Sequence, residues 1–173
     1  MSHARSNAQC LVTYAQQVGE ELSLFLAPWP GFKTSLPDSS LLMKWTCSFL
    51  AAGATIGSDD SIMGGFLVWK TEDDAPRKLV LIRWAVSLQN VVETTEELLI
   101  DWHPNTAVRD ARVGVNDTGD PVALIKDDEG DWHVFDGDVL QPLSGEFAKT
   151  KLPIELGFLN GNADPLLICG TIG

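Results

Sequence analysis

The stretch Leu79-Val80-Leu81-Ile82-Arg83-Trp84-Ala85-Val86-Ser87-Leu88 decides the fold class. Successive side chains of an extended chain point to opposite faces. Val80, Ile82, Trp84, Val86 and Leu88 therefore form one wholly apolar face, while Arg83, Ser87 and Gln89 stand on the other. This is the pattern of a strand at the centre of a core. Upstream, Phe66 to Lys70 is a second strand-like run, joined to the first by Thr71-Glu72-Asp73-Asp74-Ala75-Pro76. That connection is polar and turn-forming, and its proline cannot donate to a ladder, so the two runs are expected to form a hairpin.

The same period extends outward in both directions. Leu41, Met43, Trp45, Cys47, Phe49 and Ala51 alternate with Lys44, Thr46 and Ser48, which predicts one strand from Leu41 to Ala51. Val122 to Lys126 and Asp131 to Phe135 flank Asp127-Asp128-Glu129-Gly130, a second hairpin with glycine available for a left-handed turn position. Ala107 to Val115, Leu152 to Leu159 and Leu166 to Thr171 are further strands, separated by turn residues at Asn116 to Asp120 and Asn160 to Asp164.

Two segments read differently. Leu11, Ala15, Val18, Leu22 and Phe25 sit at helical spacing, yet Leu22, Leu24 and Leu26 alternate and Gly19 falls in the middle, so a helix competes with two strands turning near Gly19. Thr94 to Trp102, with a threonine cap and acids in the first turn, predicts a short helix. The expected architecture is mainly β, an antiparallel β-sandwich or jelly-roll-like barrel with at most one or two short helices. The alternative is α+β, an antiparallel sheet covered by an N-terminal helix.

A chain of 173 residues, 45% hydrophobic and 21% charged, has the size and apolar content of one folded domain, taken as residues 1–173, with the proline-rich stretch 27–40 as a long loop. No apolar run approaches the roughly 20 residues that span a bilayer, and no signal-peptide core develops near the start. Three scattered cysteines, Cys10, Cys47 and Cys169, fit neither a disulfide framework nor a structural zinc site and place the chain in a reducing, intracellular compartment. The net charge is −12, without a basic cluster, which disfavours direct nucleic-acid binding because phosphate contacts rest on Lys and Arg.

Few residues offer chemistry. The tripeptide Asp-Trp-His occurs twice, as Asp101-Trp102-His103 and Asp131-Trp132-His133. In a strand, residues two apart share a face, so Asp101, His103, Asp131 and His133 are candidate ligands of one metal, although the residues flanking the two copies do not match. The acidic run Asp127, Asp128 and Glu129 is a candidate contact for a basic partner, and its order of acids differs from a calcium loop. Trp29 and Phe32, in Pro28-Trp29-Pro30-Gly31-Phe32, are a candidate partner-binding pair on a stiff loop. Trp45, Trp69, Trp84 and Trp132 read as core. No nucleophile elbow, phosphate loop or dinucleotide fingerprint is present, so no catalytic residue and no cofactor is assigned. The residues favour a non-enzymatic structural or protein-interaction module, including a self-assembling shell, coat or decoration subunit. An acidic inhibitor or decoy for a basic partner stands second, and a metal-dependent enzyme using the two Asp-Trp-His segments third.

Overall fold

The computed structural model describes residues 11–28, 40–56, 61–72, 75–87, 92–144, 154–158 and 165–169. All the elements among them are strands: β1 (Leu11–Val18), β2 (Glu21–Pro28), β3 (Ser40–Thr46), β4 (Ser48–Ile56), β5 (Ile62–Lys70), β6 (Lys78–Val86), β7 (Val92–Ile100), β8 (Asp110–Val115), β9 (Pro121–Lys126), β10 (Trp132–Phe135), β11 (Leu140–Pro142), β12 (Ile154–Phe158) and β13 (Pro165–Cys169). The chain divides into two compact units, Met1–Thr46 and Cys47–Gly173.

The first unit is an antiparallel meander in the order β1-β2-β3. Its first turn is the two-residue Gly19-Glu20, closed by Val18 opposite Glu21. Gly19 has a φ of 60°, which glycine adopts without steric cost. The helical reading of this segment is corrected: β1 and β2 pair residue for residue from Leu11 opposite Pro28 to Val18 opposite Glu21, and a helix would have held Gly19 in its interior. Ala27, Pro28 and Ser40, assigned to the long loop, are strand residues, while residues 29–39, with Trp29 and Phe32, lie outside the described residues.

The second unit is a sandwich of two four-stranded antiparallel sheets, β4-β5-β6-β7 and β11-β10-β9-β8, with β12 and β13 as a separate pair. β5 and β6 pair residue for residue from Ile62 opposite Val86 to Lys70 opposite Lys78, so the expected hairpin is present and its first strand starts four residues earlier. Leu67, Trp69, Leu79, Leu81 and Ile100 from the first sheet meet Val113, Val115, Ala123, Ile125 and Phe135 from the second in one core. Phe66, Val68, Val80, Ile82, Trp84 and Val86, on the opposite face of the first sheet, are buried as well. Burial on both faces explains why β5 and β6 are nearly continuous apolar runs. Trp45, Trp69, Trp84 and Trp132 are all buried, as their strand positions imply.

The strand expected from Leu41 to Ala51 is two strands, β3 and β4, separated at Cys47. The short helix expected over Thr94–Trp102 is corrected to β7. Leu98 and Ile100 turn into the core while Leu99 is 63% exposed, a period of two. The acids that resembled a first helical turn instead face cations across the sheet, with Glu97 2.7 Å from Lys70 of β5 and Glu96 opposite Arg83 of β6. The turn at Asn116 to Asp120 is held by the buried Asn116, whose Oδ1 accepts from Asp120 N at 2.8 Å and Thr118 N at 3.1 Å.

At Gly53 the two sheets come into close contact. A Cβ added there would lie 2.1 Å from the Val113 carbonyl oxygen, so β4 passes β8 at a distance only glycine permits. The obstructing atom is backbone in a paired strand and cannot swing aside. Gly53→Ala is therefore expected to destabilise the fold by about 3 kcal/mol, read as a lower urea midpoint at unchanged slope. An unaltered midpoint would show that the sheets do not meet at this point.

Candidate functional site

Both Asp-Trp-His copies contribute to one small cleft of about 240 Å³. Asp101, Trp102, His103 and Thr106 come from the connection between β7 and β8. Asp127 at the end of β9, His133 on β10 and Leu140 on β11 complete it. The connection is folded on itself: Trp102 N donates to Ile100 O at 2.8 Å, Thr106 N to His103 O at 3.0 Å, and the Trp102 indole N–H to Thr106 O at 3.1 Å. His103 Nδ1 accepts from Asn105 N at 3.3 Å. Its ring is thereby tied to its own turn.

The second copy is placed by the β9–β10 hairpin, in which Trp132 lies opposite Lys126. Trp132 is buried with Leu124, beneath the Lys126 ammonium 5.3 Å from its ring. His133, the next residue, therefore emerges on the other face, where its ring meets the Trp102 indole edge-on at 5.2 Å between centroids. The carboxylate that His133 meets is Asp127 and not Asp131: His133 Nε2 donates to Asp127 Oδ2 at 2.9 Å, and Asp131 N donates to Asp127 Oδ1 at 2.8 Å. Asp127 was legible as a turn acid, but its pairing with His133 follows from a register that brings it across the loop. Burial pushes the Asp127 carboxyl up, and the hydrogen bonds from His133 and from the Asp131 amide outweigh it, holding the group below the usual carboxylate range.

Of the four candidate ligands, Asp101, His103 and His133 share the cleft, whereas Asp131 does not line it. Among the described residues no three His, Cys, Asp or Glu side chains form a set that could hold a metal ion. Asp128 and Glu129 stand exposed at the tip of the β9–β10 turn. Burial raises the Cys47 thiol to about 11, with Lys70 pulling it down and Glu97 pushing it up, which is the state of an unreactive buried thiol. Comparison of the chain with protein-family models, curated proteins and solved structures finds no match. Among the described residues no helix is long and apolar enough to cross a membrane.

A second surface, which alternation alone did not single out, is the edge of the first sheet. Among the described residues β4 hydrogen-bonds to β5 alone, and its nine residues, Ser-Phe-Leu-Ala-Ala-Gly-Ala-Thr-Ile, contain neither charge nor proline. Phe49 is 38% and Ile56 68% exposed, with Ala52 and Ala54 exposed between them. The other edges of the two four-stranded sheets are guarded. β7 carries Glu96 and Glu97, β8 carries Asp110 and Arg112, and β11 is three residues long and ends in Pro142.

The Asp127 contacts set a pH dependence. A carboxyl whose folded pKa is depressed stabilises the fold above its unfolded value of about 3.9 and loses that contribution as pH falls through the lower, folded value. Asp127→Asn is expected to lose about 1–3 kcal/mol at pH 7, with the gap to the parent protein closing in acid. Denaturant midpoints from pH 7 to pH 3 check this, and parallel curves would refute the charge-assisted contact.

Proposed function

We propose that the protein is a non-enzymatic structural module that associates with a second copy of itself through β4, the two edges pairing antiparallel about a two-fold axis. The observation that carries this reading is the unguarded edge. Natural sheets place Lys, Glu, Pro or a very short strand where unpaired backbone groups would recruit another chain, and β4 has none of these. Charge argues the same way. Two chains of net charge −12 repel over most of their surfaces, and an uncharged nine-residue edge is where they approach at least electrostatic cost. A two-fold contact is self-complementary and closes after one partner. The register shift in β4 between Phe49 and Ala51 confines the straight, pairable length to its second half, around Ala52 to Ile56.

Light scattering tests this directly. The expected mass is twice the 18.8 kDa of one chain, little affected by added salt. Ala54→Lys, at an exposed position, places like charges face to face near the axis and is expected to give a folded monomer whose denaturation midpoint no longer depends on protein concentration. β1 is also an uncharged strand at a sheet edge, so Gln16→Lys is the control and is expected to leave the dimer intact. A parent protein that is monomeric, or a dimer dissolved by Gln16→Lys and not by Ala54→Lys, would overturn the assignment.

A further inference from the structure

On the other side of Trp102 lies a larger cleft of about 370 Å³, sharing Asp101 and Trp102 with the first. Its walls are mostly apolar, formed by Pro76, Leu99, Ile100, Trp102 and Pro104; Arg77 stands among them, and so does Lys78, whose ammonium is taken by Glu72 at 2.9 Å. The arginine is held on two sides. Its guanidinium carbon lies 4.2 Å over the Trp69 ring, and its Nε donates to the Pro104 carbonyl at 2.7 Å.

These contacts use the face of the guanidinium and its Nε, and leave the two terminal nitrogens. Most other described cations are answered by carboxylates: Lys44 by Glu21, Lys70 by Glu97, Lys78 by Glu72, Arg83 by Asp120 and Arg112 by Asp110. Among the described residues no carboxylate pairs with Arg77, although the chain has twice as many acids as bases, 24 to 12. A fixed fork of donors backed by an aromatic ring at the lip of an apolar cleft is the arrangement that recognises a carboxylate two-handedly. The two contacts restrict its rotamers before any ligand arrives, so binding has less of it to immobilise.

We infer that this cleft binds a small apolar monocarboxylate, its carboxylate on the terminal nitrogens of Arg77 and its hydrocarbon or aromatic body against Leu99, Pro104 and Trp102. Asp101 in the same lining, and a chain charge of −12, work against phosphate and dicarboxylates, so a single charge on an apolar body is the selected class. The site is independent of the β4 edge.

The test uses the full chain labelled with nitrogen-15, following the tryptophan indole N–H resonances during titration with 4-phenylbutyrate, its neutral amide and inorganic phosphate. The expected result is saturable movement of the Trp69 and Trp102 signals, half complete at or below about 1 mM for the carboxylate. The amide and phosphate are expected to be at least about tenfold weaker, since each lacks one half of the recognition. Arg77→Lys keeps the charge without the fork and is expected to weaken binding by about tenfold. Leu99 is 63% exposed, so Leu99→Asp leaves the core intact and is expected to abolish binding even if an Arg77 variant proves unstable. Equal movement with the amide, no saturation by the carboxylate, or a Leu99→Asp protein that binds as the parent does would each overturn the inference.

Discussion

The pairing of β5 with β6 is the constraint on which the second unit depends. Nine residues face nine, and most of them are buried on both faces of the sheet. Such a pair cannot exist without cover above and below. One cover is the second sheet, whose Val113, Val115, Ala123, Ile125 and Phe135 complete the core. The need for close cover also explains the glycines: Gly53 lets the β4 backbone approach that of β8, and Gly64 leaves room for the indole of Trp84 across the ladder. Charge is displaced to the ends and flanks of the pair, where Lys70, Lys78 and Arg83 meet acids from β7 and the adjoining turns.

Much of this was legible in the sequence because period two is a local signal. Val80, Ile82, Trp84 and Val86 announce a buried face, and Asp127 to Gly130 announces a turn, without knowledge of any distant residue. What the sequence hid was non-local. Glu96 and Glu97 resemble a helical first turn until β5 and β6 supply the cations opposite them. Cys47 fits the alternation of its flanks, and only the pairing of β3 with β2 and of β4 with β5 shows that the strand divides there. Three of the four candidate ligands do line one cleft, but repetition of a tripeptide carries no information about which acid a histidine meets. The hairpin register gives that role to Asp127. The β4 edge was invisible for the same reason, since an edge is defined by which neighbour is missing.

Charge organises the surface in a way that net charge conceals. An excess of acids is often read as general solvation, yet most of the described cations are spent on particular acidic partners, across strands, within a strand or in a turn. Each exposed pair contributes little to stability. Together they leave few surfaces with any distinctive chemistry, and these stand out by what they lack: β4 carries no charge, and Arg77 has a tryptophan and a carbonyl for partners instead of a carboxylate.

The second of these exceptions, Arg77, meets the connection between β7 and β8. Trp102 is fixed by its bond to Thr106, Pro104 is held by Arg77, and His133 packs edge-on against the same indole. A loop of this length without such ties would lose considerable freedom on meeting a ligand, and the affinity of any site built on it would fall accordingly. Here the ordering is accomplished by folding itself, because the ties run within the turn, to a strand of the sandwich, or to Arg77 just before β6. The connection therefore behaves as part of the scaffold. The two clefts that share Trp102 are preformed, and what enters one changes the surroundings of the indole that walls the other.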